Sequence, residues 1–161
     1  MTSLMPRQEE LLEHLVREPR PRAVLLRAAV GTGITEVVVR LVASVARNGG
    51  PVVVVTDLSL LVEQWAHRLT EAGAGPVRPL RTGSDVLLEL DQRHHAEETS
   101  RVLVASRQRL SQGPGRMLAE ALHPHLLVID RMSGLHAGSR RELIEDVDDH
   151  EIPTGRPVAI T

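Results

Sequence analysis

Short aliphatic runs alternate with amphipathic stretches along the chain. The clearest run is Val52-Val53-Val54-Val55 inside Pro51–Thr56, which reads as a strand buried on both faces. Ala23–Leu26, Arg101–Ala105, Leu126–Ile129 and Val158–Thr161 have the same character, and Val77–Leu80 predicts a shorter strand in the Gly- and Pro-rich stretch Ala72–Pro79. Between them, Thr35–Arg47 predicts a helix closed by Asn48-Gly49-Gly50. A second helix, capped by Asp57 or Ser59, runs to about Glu71 with Leu61, Trp65 and Leu69 at helical spacing. Further helices are expected over Asp85–Leu90, Met117–Leu122 and Arg140–Val147, a polar exposed loop over Asp91–Ser100, and turns at Gln112–Gly115 and Pro153–Pro157. Strands alternating with helices predict an α/β domain with a mostly parallel sheet. Ligands in such sheets bind at the carboxyl ends of the strands, so function is expected in the loops after Leu26, Val55, Ala105, Ile129 and Ile160.

Composition narrows the chemistry. A chain of 161 residues suits one domain, and 42% hydrophobic with 25% charged residues is ordinary for a globular protein. All 19 basic residues are arginine, which excludes a Schiff-base lysine and the phosphate-binding lysine of a P-loop. Cys, Tyr and Phe are absent and Trp65 is the single aromatic, which excludes a disulfide framework, a cysteine nucleophile, a thiolate metal site and an aromatic platform for stacked bases. A net charge of -2 and an isoelectric point of about 6.4 lack the basic excess common in nucleic-acid binders. No apolar run is long enough to span a membrane, and Met1-Thr2-Ser3-Leu4 lacks the basic region and apolar run of a signal peptide, so the expected location is cytoplasmic, with no membrane partner.

One loop stands out. Ala28-Ala29-Val30-Gly31-Thr32-Gly33-Ile34-Thr35 follows a strand and opens a helix. A P-loop uses small residues so that backbone N–H groups wrap a phosphate, a lysine for the terminal phosphates and Ser or Thr for Mg²⁺. The glycines and Thr35 are present, but Ile34 occupies the lysine position. The dinucleotide-binding pattern fails, because its third glycine would fall on Glu36.

Other segments extend the pattern: VVVVTDLSLLVEQWAHRL over Val52–Leu69, VLVASRQRL over Val102–Leu110, LLVIDRMS over Leu126–Ser133, and VAIT at the end. In this order and spacing the chain resembles the first RecA-like domain of superfamily 2 helicases and translocases, nearest the restriction-subunit and Snf2-like branches. The resemblance implies a RecA-like P-loop fold, a three-layer α/β sandwich, over residues 1–161, without the second RecA domain. By the same resemblance, Gln8 in Leu4-Met5-Pro6-Arg7-Gln8 reads adenine, and Gly31, Thr32, Gly33 and Thr35 hold the nucleotide phosphates. It further implies that Thr35 and Asp130 hold Mg²⁺, and that Thr56 beside Leu61–Trp65, together with Ser106 and Arg109 beside Leu110, lies near a nucleic-acid backbone. Ala159-Ile160-Thr161 matches the start of the motif that couples nucleotide state to strand binding.

The departures fall on the chemistry. An active member has Glu after the motif II Asp to activate water, and here that residue is Arg131, followed by Met132-Ser133. Arginine stays protonated and cannot be a general base. Each lost electrostatic contact costs roughly 3–4 kcal/mol of barrier. The expectation is a degenerate domain that binds nucleic acid, DNA among the candidates, or a protein partner, with weak or lost binding of ATP and Mg²⁺ and no hydrolysis by itself. The alternative is the N-terminal ATP-binding domain of a larger or split helicase ATPase, completed by a second RecA-like domain. A plain α/β interaction module is a third. Trp65 reads as core, His94-His95 and His123-Pro124-His125 as surface residues, Glu145–Asp149 as a solvated acidic helix end, and Arg107, Arg109 and Arg116 as either a solvated basic face or phosphate contacts.

Overall fold

The computed structural model describes residues 3–16, 24–26, 31–95, 101–111, 113–130 and 156–160. In chain order the elements are α1 (Pro6–Val16), β1 (Val24–Leu26), α2 (Ile34–Arg47), β2 (Val52–Thr56), α3 (Ser59–Glu71), β3 (Val77–Leu80), α4 (Gly83–His94), β4 (Val102–Ser106), α5 (Arg107–Leu110), α6 (Pro114–Leu122), β5 (Leu126–Asp130) and β6 (Arg156–Ile160). The strands form one sheet in the order β1-β6-β5-β2-β4-β3, and every pairing is parallel.

The layers follow from the two-residue period of a strand. Val52 and Val54 of β2, Val102 and Val104 of β4, and Leu126 and Val128 of β5 face one side, where they pack with Leu15 of α1, the valines of α2 and Val62, Trp65 and Leu69 of α3. Val53, Leu103, Ala105 and Leu127 face the other side and pack with Val86 of α4 and Leu118 and Leu122 of α6. Helices cover both faces, which is why the central strands are aliphatic on both and why the sheet is parallel. The result is the three-layer sandwich expected from the sequence.

Several boundaries differ from expectation. Helix α1 was not expected. Its apolar residues Leu11, Leu12 and Leu15 pack on the first cluster, and Pro6 opens it at the position where a missing N–H costs nothing. The N-cap of α3 is Leu58, with no side-chain cap, because Asp57 turns to the Arg107 guanidinium at 3.3 Å and Ser59 already lies inside the helix. Helix α4 begins at Gly83 and runs to His94, so the expected polar loop at Asp91 is helix for four residues. Two local devices extend it. Thr82 and Asp85 form a reciprocal capping box, and Arg93 pairs with Glu89 one turn back at 3.0 Å. Helix α5 was not expected, and α6 starts at Pro114 inside the expected turn. The link between them is tight: a Cβ on Gly115 would collide with the Arg109 carbonyl, so only glycine fits. Strand β6 starts at Arg156, so Pro157 belongs to the sheet rather than to a turn. The helix expected over Arg140–Val147 lies outside the described residues. Among the described residues, no helix is long and apolar enough to cross a membrane.

Candidate functional site

Parallel register brings distant parts of the sequence into one row. Thr56 at the end of β2 sits opposite Ser106 of β4 on one side and Asp130 of β5 on the other. Asp130 in turn sits opposite Ile160 of β6, which faces Leu26 of β1. The residues singled out in four separate segments therefore end at one edge of the sheet.

The glycine turn lies before α2. Gly31 and Gly33 have φ of 86° and 73°, the left-handed region that only glycine enters at low cost. Gly33 is the N-cap of α2 and offers no side chain, so the first N–H groups of the helix are not satisfied by a capping side chain. Gln8 closes over this turn. Its Oε1 accepts from the Met5 N–H at 2.9 Å and its Nε2 donates to the Thr32 carbonyl at 2.8 Å. A side chain at Gly33 would run into that amide. Gln8 thus ties the start of α1 to the turn.

Ile34 is the first residue of α2, half-buried, and packs against the larger apolar cluster. Thr35 is half-buried beside it. The backbone here fits a phosphate, with left-handed glycines and an open helix N-terminus. Ile34 brings an apolar side chain, and no charge, to the first position of the helix.

Asp130 is already engaged. The buried Trp65 indole Nε1–H donates to its Oδ2 at 2.7 Å, joining α3 to the end of β5. Burial pushes the Asp130 carboxyl above its ordinary value; the Trp65 hydrogen bond opposes this, Asp57 adds to it, and Arg68 opposes it. Sequence reasoning placed Trp65 in the core, which is correct, but missed this bond. The signal was available, since a buried indole N–H needs an acceptor.

The nucleic-acid candidates lie on the neighbouring strands. Thr56 is buried and its hydroxyl donates to the Leu58 carbonyl at 2.8 Å. Ser106 caps α5, its Oγ accepting from the Arg109 N–H at 3.3 Å. Arg109 reaches over to donate to the Arg81 carbonyl at 3.2 Å. Arg107 pairs with Asp57, and Arg116 pairs with Glu120 on α6 at 2.9 Å. His94, His95, His123 and His125 are exposed, as expected of surface residues, and His95 Nδ1 lies 2.9 Å from the Asp91 carbonyl oxygen. Among the described residues, no group of three or more His, Cys, Asp or Glu could hold a metal ion. Arg131, Met132, Ser133 and Thr161 lie outside the described residues.

A three-layer parallel sandwich, with a glycine turn leading into a helix and polar residues aligned at the strand ends, is a RecA-like arrangement. The family model described as "Type III restriction enzyme, res subunit" matches residues 1–150, and the chain belongs to that family. Among solved structures, the chain is similar to a nuclease-deletion mutant of the Type ISP restriction-modification enzyme LlaGI, determined in complex with a DNA substrate mimic. The TM-score is 0.65 at 13% identity, over 99% of this chain and 17% of that one, so the chain spans under a fifth of that enzyme's length. No curated protein matches.

Proposed function

We propose that this helicase-like domain is a nucleic-acid-binding module whose nucleotide site has lost its hydrolytic chemistry. The observation that carries the reading is Ile34: the first residue of α2, where the resemblance places the phosphate-binding lysine, is an apolar side chain packed on the core. Arg131 in place of the motif II glutamate supports it from the sequence. The row of strand ends, the α5 cap at Ser106 and Arg109, and the DNA-bound state of the structural relative support nucleic acid, DNA first, as the ligand.

ATP with Mg²⁺ is the nucleotide the family points to, held by Gln8, the Gly31–Gly33 turn, Thr35 and Asp130. Its bound Mg²⁺ would supply charge neutralisation at the terminal phosphates, and Ile34 cannot add to it. The preserved turn favours a second reading, an ATP-binding domain that works within a larger helicase. A single experiment separates the two. Calorimetric titration of ATP and Mg²⁺ into the wild-type chain should give weak or no binding. Ile34→Lys should tighten it about tenfold or more, as a charge-assisted contact of roughly 1.5–3 kcal/mol would. Hydrolysis by the wild-type chain above a catalytic-free control, with or without DNA, would overturn the proposal.

A further inference from the structure

The loop between β3 and α4 places Arg81 beside the same row of strand ends. Its main chain is pinned on both sides. The Arg81 and Thr82 N–H groups both donate to Asp85 Oδ2, at 2.9 and 2.7 Å, and the Arg81 carbonyl accepts from Arg109. Its guanidinium forks onto Glu63 of α3, Nε to Oε1 and Nη2 to Oε2, the latter at 2.8 Å. Both side chains are about half exposed, so the pair faces solvent. Arg81 holds the Glu63 carboxyl below its ordinary range. Arg107 makes a single-point pair with Asp57, Nε to Oδ1 at 3.3 Å.

Two parallel N–H donors on two oxygens is also the geometry in which arginine grips a phosphate. The fixed main chain holds the Arg81 fork at the surface, in place beside the strand ends. We infer that Glu63 is a resident phosphate mimic: its carboxylate occupies the Arg81 fork, and this face takes a nucleic-acid backbone by exchanging that carboxylate for a phosphate. The inference rests on the nucleic-acid reading above and adds a restraint on it. Binding starts from a paired arginine, so each phosphate gained there costs an internal ion pair. The lack of a basic excess in the chain then has a local counterpart, since Arg81 and Arg107 at this edge are matched by Glu63 and Asp57.

The test uses the full chain and a fluorescently labelled oligo-dT, followed by anisotropy over a range of salt. Glu63→Gln frees Arg81 and should tighten binding about two- to fivefold at low salt, the fold-change equivalent of an exposed ion pair. It should also steepen the fall of log K with log salt by up to about 0.7, one further phosphate contact on a single strand. In an Arg81→Ala background the gain should vanish. Glu71→Gln, at the far end of α3, removes an equal charge away from the fork and should change binding less. The inference is overturned if Glu63→Gln binds no tighter than wild type, if the gain survives Arg81→Ala, or if Glu71→Gln matches it. Wild-type binding with no effect of Glu63→Gln removes this inference and leaves the nucleic-acid reading standing. No binding by any of these variants, each folded by circular dichroism, removes both.

Discussion

Asp130 shows how one carboxylate can be both a candidate ligand and a structural acceptor. Burial favours its neutral form, and the Trp65 hydrogen bond only partly offsets that. Between its ordinary value of 3.8 and its raised folded value, the folded chain holds more protons than the unfolded chain. Stability therefore falls as pH rises through that window, and the loss persists at neutral pH. Asp130→Asn keeps an oxygen for the indole and removes the buried charge. It should be more stable than wild type at pH 7, and the advantage should shrink as pH falls toward about 4. Urea unfolding at both pH values measures it, and an equal difference at both would refute the assignment. The shifts of Glu63 and Asp85 run downward, so they add stability that is lost on acidification. They occur in both proteins and cancel in the comparison.

At the scale of single elements, α4 is held by polar contacts as much as by burial. The Thr82 hydroxyl accepts from the Asp85 N–H at 3.2 Å, and Asp85 returns a bond to Thr82. Thr82→Ala should cost about 1 kcal/mol in urea unfolding. Lower down, fully buried Glu89 is paired with Arg93 at 3.0 Å and with Arg78 of β3 at 3.1 Å, while the Arg78 N–H itself is aimed at Gln92. Glu89 is the clamp between α4 and the edge strand. Glu89→Ala leaves two guanidiniums without their carboxylate; because both retain some exposure, the cost should lie near about 3 kcal/mol, at the low end for a broken buried pair. A cost below that of Thr82→Ala would show that the arginines simply turn to water. The sequence hides this residue, since a Glu in a helix of mixed polarity reads as exposed. Only the approach of β3 and its Arg78 makes burial affordable, and that approach is tertiary.

For the whole molecule, the sheet divides the core into two independent layers. Val42 of α2 belongs to one cluster and Val86 of α4 to the other, and both are buried. Each change to alanine removes two methyl groups and should cost about 2 kcal/mol. Because they lie in separate clusters, they should add to within about 0.5 kcal/mol in the double variant. A larger coupling, read from denaturant midpoints, would mean that the sheet transmits strain between its faces.

Much of the architecture was legible along the chain. Valine runs, glycine turns and helical spacing are local signals, so the alternation of strands and helices, the parallel class, the buried Trp65 and the glycine turn at Gly31–Gly33 follow from composition and period alone. The missing lysine at position 34 is equally a fact of sequence. Strand order, register and side-chain pairing are different, because they depend on which surfaces meet after the chain closes. The sequence could place Thr56, Ser106 and Asp130 at strand ends, but only parallel register sets them side by side. It could place Trp65 in the core, but only the packing of α3 on the sheet brings its N–H to Asp130 at the end of β5. It could supply Arg81 and Glu63, but the fork between them joins helix α3 to the loop after β3 and exists only in the folded chain. Local preference decides what each segment is, and long-range geometry decides which charges and hydrogen bonds are left for a ligand.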